Sequence, residues 1–208
     1  MSKLVIPQAV QVAILGIRAH FRDLNARAQA RNAQLQAADP VGNQIRIGFI
    51  TKAETLGPEL QFWNIEDDQA LEDFLFDDLL AGLDPDMDWS TLPRGYPPLI
   101  DVLEFERHCQ YEGWTAVSNK GLVEMARIID SYRTVGLDAE ARALAAVTEA
   151  YSRLADDDHP DFHDILRQAY AGAQGQTGDF DEGIENRLSQ VLRFVRTHPD
   201  WFGVPARP

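Results

Sequence analysis

Cations are missing from one long stretch of this chain: Ala53 to Pro93 holds no Lys or Arg in 41 residues. The same stretch holds twelve acids: Glu54, Glu59, Glu66, Asp67, Asp68, Glu72, Asp73, Asp77, Asp78, Asp84, Asp86 and Asp88. Like charges repel, so a folded domain keeps such a segment only where it is solvated or compensated from elsewhere. Cysteine is nearly absent too. Cys109 is alone, which excludes an intrachain disulfide and points to a reducing, cytoplasmic setting. Beside His108, Cys109 reads as a core thiol rather than a nucleophile, because sequence neighbours on a helix point in different directions. No apolar run approaches the roughly 18 residues that span a bilayer. The stretch from Leu4 to Ile17 is broken by Pro7, Gln8 and Gln11, which argues against a signal peptide. With a net charge of −14, cations are scarce overall. Direct nucleic-acid binding and anionic membrane surfaces are therefore excluded as expectations.

What is present is globular. The 208 residues include 45% hydrophobic side chains and four Trp, enough for a substantial core in one domain. Charge is unevenly distributed. Met1 to Lys52 holds seven cations against two acids, and the remainder holds twelve cations against 31 acids. A basic arm thus precedes an acidic body, and the two are expected to compensate each other within or between chains.

Spacing gives the organisation. Val10, Ile14, Ile17, Phe21, Leu24, Ala28, Arg31 and Leu35 alternate at four and three residues, a heptad seam interrupted only by Arg31. One long helix is predicted, ending at Asp39-Pro40. Its seam is expected to be buried, either along the body or in a homodimer. Ile45, Ile47 and Phe49 alternate with polar residues or glycine, which suits a short strand, with Leu60–Ile65 as its antiparallel partner in a small hairpin. From Glu66 the period is helical, with Leu71, Phe74, Leu75, Leu79 and Leu80 as the apolar stripe. The Pro/Gly-rich run from Leu92 to Pro98 marks a boundary. Three segments follow: a basic helix over 1–40, an acidic segment over 41–96 and a helical region over 97–208. Helices are predicted over 98–111, 119–134, 138–154, 160–173 and 181–197. In the last, Ile184, Leu188, Val191, Leu192 and Val195 make an amphipathic face.

Motifs for chemistry are few. Asp84, Asp86 and Asp88 have the first spacings of a calcium loop, but Trp89 and Gly95 stand where Gly and Glu are needed. His159 and His163 are four apart, yet Pro160 belongs to a first helical turn, so His159 and the preceding acids read as caps. No phosphate-cradling loop, nucleophile elbow or zinc-protease helix occurs. Catalytic, cofactor-binding and metal-ligating residues are accordingly assigned as none.

One resemblance adds to this. The stretch from Phe105 to Asn119 resembles a motif of the DNA-mimic-protein-like family, in which a helix ends in Asn-Gly-Gly-aromatic with an Asn shortly after. Gly113, Trp114 and Asn119 match, whereas Tyr111-Glu112 stand in place of Asn-Gly. Val135-Gly136-Leu137 with Ala141 is similar to that family's Ile-Gly-Ala junction, and Glu182 to Phe202 to its C-terminal helix. The likeness spans roughly residues 97–202. It implies an all-helical, non-enzymatic domain and a family in which one member uses acidic surface to imitate DNA. Trp114 after Gly113 is expected to anchor the helix junction.

The fold expected is mainly α: one compact domain of six to eight helices with a long N-terminal helix and a small hairpin. The function expected is a non-enzymatic acidic module of DNA-mimic type that binds a basic transcription factor, another nucleic-acid-binding protein or a toxin. Its partner-binding residues would be Asp67, Asp68, Asp73, Asp77, Asp78, Asp84, Asp86 and Asp88. The alternative is an immunity or antitoxin-like protein with one tight basic partner. A third class, an enzyme, would show a concave pocket with convergent, perturbed ionisable groups.

Overall fold

Helix-forming periodicity dominates the chain, and helices dominate its computed structural model. The structure describes residues 4–38, 61–83, 88–154, 159–174, 180 and 183–205. Eight α-helices occur among them: α1 (Gln8–Ala38), α2 (Asp68–Asp73), α3 (Tyr96–Glu112), α4 (Thr115–Val135), α5 (Asp138–Ser152), α6 (Phe162–Gln174), α7 (Ile184–Thr197) and α8 (Pro199–Phe202). Two short strands, β1 (Leu4–Val5) and β2 (Val204–Pro205), pair antiparallel and tie the two ends of the described chain together. Among the described residues no helix is long and apolar enough to cross a membrane.

The boundaries of α3, α4, α5 and α7 follow from local chemistry. Pro97 and Pro98 open α3, where the missing N–H groups cost nothing. Gly113 ends it at a φ of 56°, and Gly136 ends α4 in the left-handed region at a φ of 90°. Side chains with a Cβ rarely adopt these values. The two short turns fold α3, α4 and α5 back on one another, and α6 then packs on α5. α7 lies against α2 and α4, so its apolar face closes the core. Trp114 is buried as expected, its ring 5.6 Å from Phe180 and 5.1 Å from Tyr170. Cys109 is buried in the core.

Three expectations need correction. Phe62–Asn64 form a 3₁₀ turn, not a hairpin strand, because Phe62 and Trp63 both face inward. Strand alternation would have put one of them out. Residues 44–60 lie outside the described residues, and the observed strand pair sits instead at β1 and β2. Second, the seam of α1 is buried only in part. Val10, Ile14 and Ala28 are buried, Ile17, Phe21, Leu24 and Leu35 are half-buried, and Arg31 is exposed. Third, α2 does not continue as an α-helix. Phe74–Leu80 is a π-helix, whose wider turn aligns residues five apart. Phe74 with Leu79 and Leu75 with Leu80 thereby all face the core.

The buried residues make one continuous core drawn from all three sequence segments. Its first half is aromatic. Phe62 stacks on Phe74 at 5.2 Å and meets Trp63, Tyr96 and Phe202 edge-on at 5.2, 6.3 and 5.4 Å.

Candidate functional site

Along the rod formed by α2 and the π-helix, Asp67, Asp68 and Asp77 are exposed, whereas Glu72, Asp73 and Asp78 are half-buried. Asp67 is exposed and caps α2, its carboxylate accepting the Ala70 N–H at 2.7 Å. Asp68 is exposed and pairs with Arg196 at 2.5 Å, whose guanidinium also donates to the Ile65 and Glu66 carbonyls. Asp73 accepts from Gln69 at 2.8 Å. Asp77 is exposed. Asp78 accepts a two-pronged bond from Arg18 of α1, at 2.7 and 2.8 Å, and Arg18 is only 4% exposed. Asp88 stands apart on its own 3₁₀ turn, where it accepts from the Ser90 N–H and hydroxyl. Asp84 and Asp86 lie outside the described residues.

The basic arm therefore does reach the acidic segment, through Arg18, and the C-terminal helix reaches it through Arg196. Negative charge is still felt there. Burial raises the Glu72 carboxyl above its ordinary value, and the neighbouring Asp73 charge raises it further.

A second constellation was not legible in the sequence. Glu106 of α3 is fully buried, and Arg187 of α7 is 4% exposed. The guanidinium donates to both Glu106 oxygens, at 2.7 and 3.0 Å, and to the Phe180 carbonyl at 2.7 Å. It also stacks over the Phe180 ring at 4.2 Å. The Tyr132 hydroxyl adds a third bond to Glu106 at 2.8 Å. Burial works against the charge of Arg187, but the Glu106 carboxylate outweighs it and holds the proton more tightly than usual. Burial and the Glu106 charge together raise the Tyr132 phenol well above its ordinary range, so it stays a donor.

Glu140 of α5 sits in the field of the same guanidinium. Its two oxygens accept from the Tyr170 hydroxyl at 2.7 Å and from Gln174 at 2.8 Å. Burial nonetheless raises its carboxyl above the ordinary value, with Arg187 and Tyr170 opposing. Glu140, Tyr170, Gln174 and Arg187 line a cavity of about 380 Å³, together with Asp138, Arg142, Asn186 and Gln190. That is the size of pockets that hold small metabolites.

The cavity has the form expected above of an enzyme pocket, a concavity on which the perturbed groups Glu140, Tyr170 and Arg187 converge. Each of the three is hydrogen-bonded within the protein. Its phenol stays protonated, its buried arginine is already paired, and both Glu140 oxygens are engaged. No group of three metal-ligating side chains occurs among the described residues. His159 precedes α6, which begins at Phe162, so His159 and His163 do not share a helical face. The faint signal for this network lay in charge at apolar spacing: Arg187 lies four before Val191, and Glu140 lies four before Leu144. Neither a family model, nor a curated protein, nor a solved structure matches the chain.

Proposed function

We propose that this protein is a non-enzymatic, acidic interaction module that engages a basic protein, in the manner of a DNA mimic. One observation carries the proposal. The rod of α2 and the π-helix is locked into the core by its apolar residues and bears Asp67, Asp68, Asp77 and the neighbouring Glu66 in solvent. Carboxylates held on a rigid support present charge without first losing the freedom that a disordered acidic tail would lose. Asp78 belongs to the support rather than to the contact, because its pair with Arg18 pins α1 to this rod. Asp67 and Asp88 act both as caps and as surface charges.

The field of such a surface extends about 8 Å at physiological salt. It raises association rates with a basic partner more than it raises final affinity. The test is capture of partners from lysate of the source cell by the wild type and by a triple variant, Glu66→Gln, Asp68→Asn, Asp77→Asn. The expected result is a basic, nucleic-acid-binding protein retained by the wild type, released steeply as salt rises, and not retained by the variant. Retention that ignores both salt and the three substitutions would overturn the proposal.

A further inference from the structure

The cavity beside α5 and α7 lies apart from the acidic rod and has its own chemistry. Its floor is the Glu140, Tyr170 and Gln174 group, fully engaged internally. Its remaining polar side chains are not. Among the described residues, Asp138, Arg142, Asn186 and Gln190 make no side-chain hydrogen bond or ion pair, although all four line the cavity.

Asp138 and Arg142 are the informative pair. An acid four residues before an arginine on a helix ordinarily closes an ion pair. Glu149 and Arg153, at the same spacing in the same helix, do so. Asp138 and Arg142 do not close one, and each instead contributes a charge of its own sign to the cavity wall. The lining as a whole is neutral, with Asp138 and Glu140 against Arg142 and Arg187. A simple anion would leave Asp138 unanswered, and a simple cation would leave Arg142 unanswered. Water solvates either charge, and a ligand carrying both charges is the one that pairs with Asp138 and Arg142 at the same time. The first turns of α5 and α7 also lack side-chain caps, so their backbone N–H groups add donors to the polar surroundings of the cavity. Asn186 and Gln190 offer both donors and acceptors to the rest of such a molecule.

We propose that this cavity binds a small zwitterion of the free α-amino-acid class, with Arg142 taking the carboxylate and Asp138 the ammonium. Glu140 and Tyr170 form the floor that holds α5 and α6 at the spacing the cavity needs.

Isothermal titration calorimetry of the full chain, with the standard free L-amino acids as probes, tests this. At least one amino acid should bind saturably. Its N-acetyl and carboxamide derivatives should each bind about tenfold more weakly or worse, as expected for loss of one charge-assisted contact. Arg142→Gln and Asp138→Asn should each weaken the parent amino acid by a similar factor, whereas Arg142→Lys should retain part of the affinity. Both positions are exposed, so an unchanged melting temperature separates loss of binding from loss of fold. Three results would overturn the proposal: no amino acid binds, the N-acetyl derivative binds as well as its parent, or both charge-removing variants bind like the wild type.

Discussion

The core has two halves built on opposite principles. Around Phe62, Phe74, Tyr96 and Phe202 it is aromatic, and the packing of rings holds it. The Tyr96 hydroxyl is buried there without a hydrogen-bond partner among the described residues, and burial raises its phenol far above the ordinary range. Around Glu106, Tyr132, Glu140, Tyr170 and Arg187 the core is just as buried but charged, with Glu106 bonded to Arg187 and Tyr132, and Glu140 to Tyr170 and Gln174. Packing the second half with apolar side chains would have been equally or more stabilising, since desolvation often cancels what a buried ion pair gains. The first half shows that this chain can build such packing. Fixed geometry is what charges add and aromatics do not: each bond in the network has one direction and one length. In this molecule that geometry borders a cavity.

Breaking the charged half should cost most. Arg187→Leu leaves Glu106 buried without its counter-charge, and a loss of about 3–5 kcal/mol is expected in urea unfolding. Replacing Glu106 and Arg187 together with apolar residues should recover most of it. A double variant as unstable as the single one would mean that the pair itself, rather than the orphaned charge, carries the stability.

The two buried tyrosines sharpen the contrast. Tyr132→Phe removes a bond to a carboxylate and should cost about 1.5–3 kcal/mol. Tyr96→Phe removes a hydroxyl that has no partner among the described residues, so it should be neutral or gain up to about 1 kcal/mol. Equal losses at both positions would erase the distinction between the halves.

Titration offers a smaller effect of definite sign. Glu140 keeps its proton in the folded state above the ordinary value of 4.5 at which the unfolded chain releases it. Its contribution is therefore fully present below pH 4.5 and is lost as pH rises through the raised folded value. Glu140→Gln has no such loss. Relative to wild type, it should gain stability as pH rises above 4.5, and denaturant unfolding at several pH values measures this. The smallest change belongs to the surface: Asp68→Asn should alter stability by no more than about 0.5 kcal/mol, because its pair with Arg196 is solvent-screened. A larger loss would make that pair part of the framework.

Much of the frame was legible in local pattern. The helices over 98–111, 119–134 and 138–154 were found within a few residues of α3, α4 and α5, because prolines and glycines punctuate an otherwise regular apolar period. Trp114 and Cys109 fell where their size and polarity send them. The strand assignment over 60–65 failed because two adjacent aromatics can both turn inward on a 3₁₀ turn. The π-helix was missed because its five-residue spacing, at Phe74 with Leu79 and Leu75 with Leu80, also fits an α-helical stripe. The acids of the rod were legible as a charge excess, but not the division between Asp78, which is spent on Arg18, and Asp77, which is exposed.

By itself, the sequence determined the helical class, the helix ends and the sign of the surface, since each depends on residues a few positions apart. Only the tertiary structure decided which charges are buried and with whom. Glu106 meets Arg187 across 81 residues, and Glu140 meets Tyr170 across 30. A carboxylate costs nothing to write into a helical pattern. Its meaning depends on whether an arginine from a distant helix arrives in the same low-dielectric space, and no local spacing encodes that arrival.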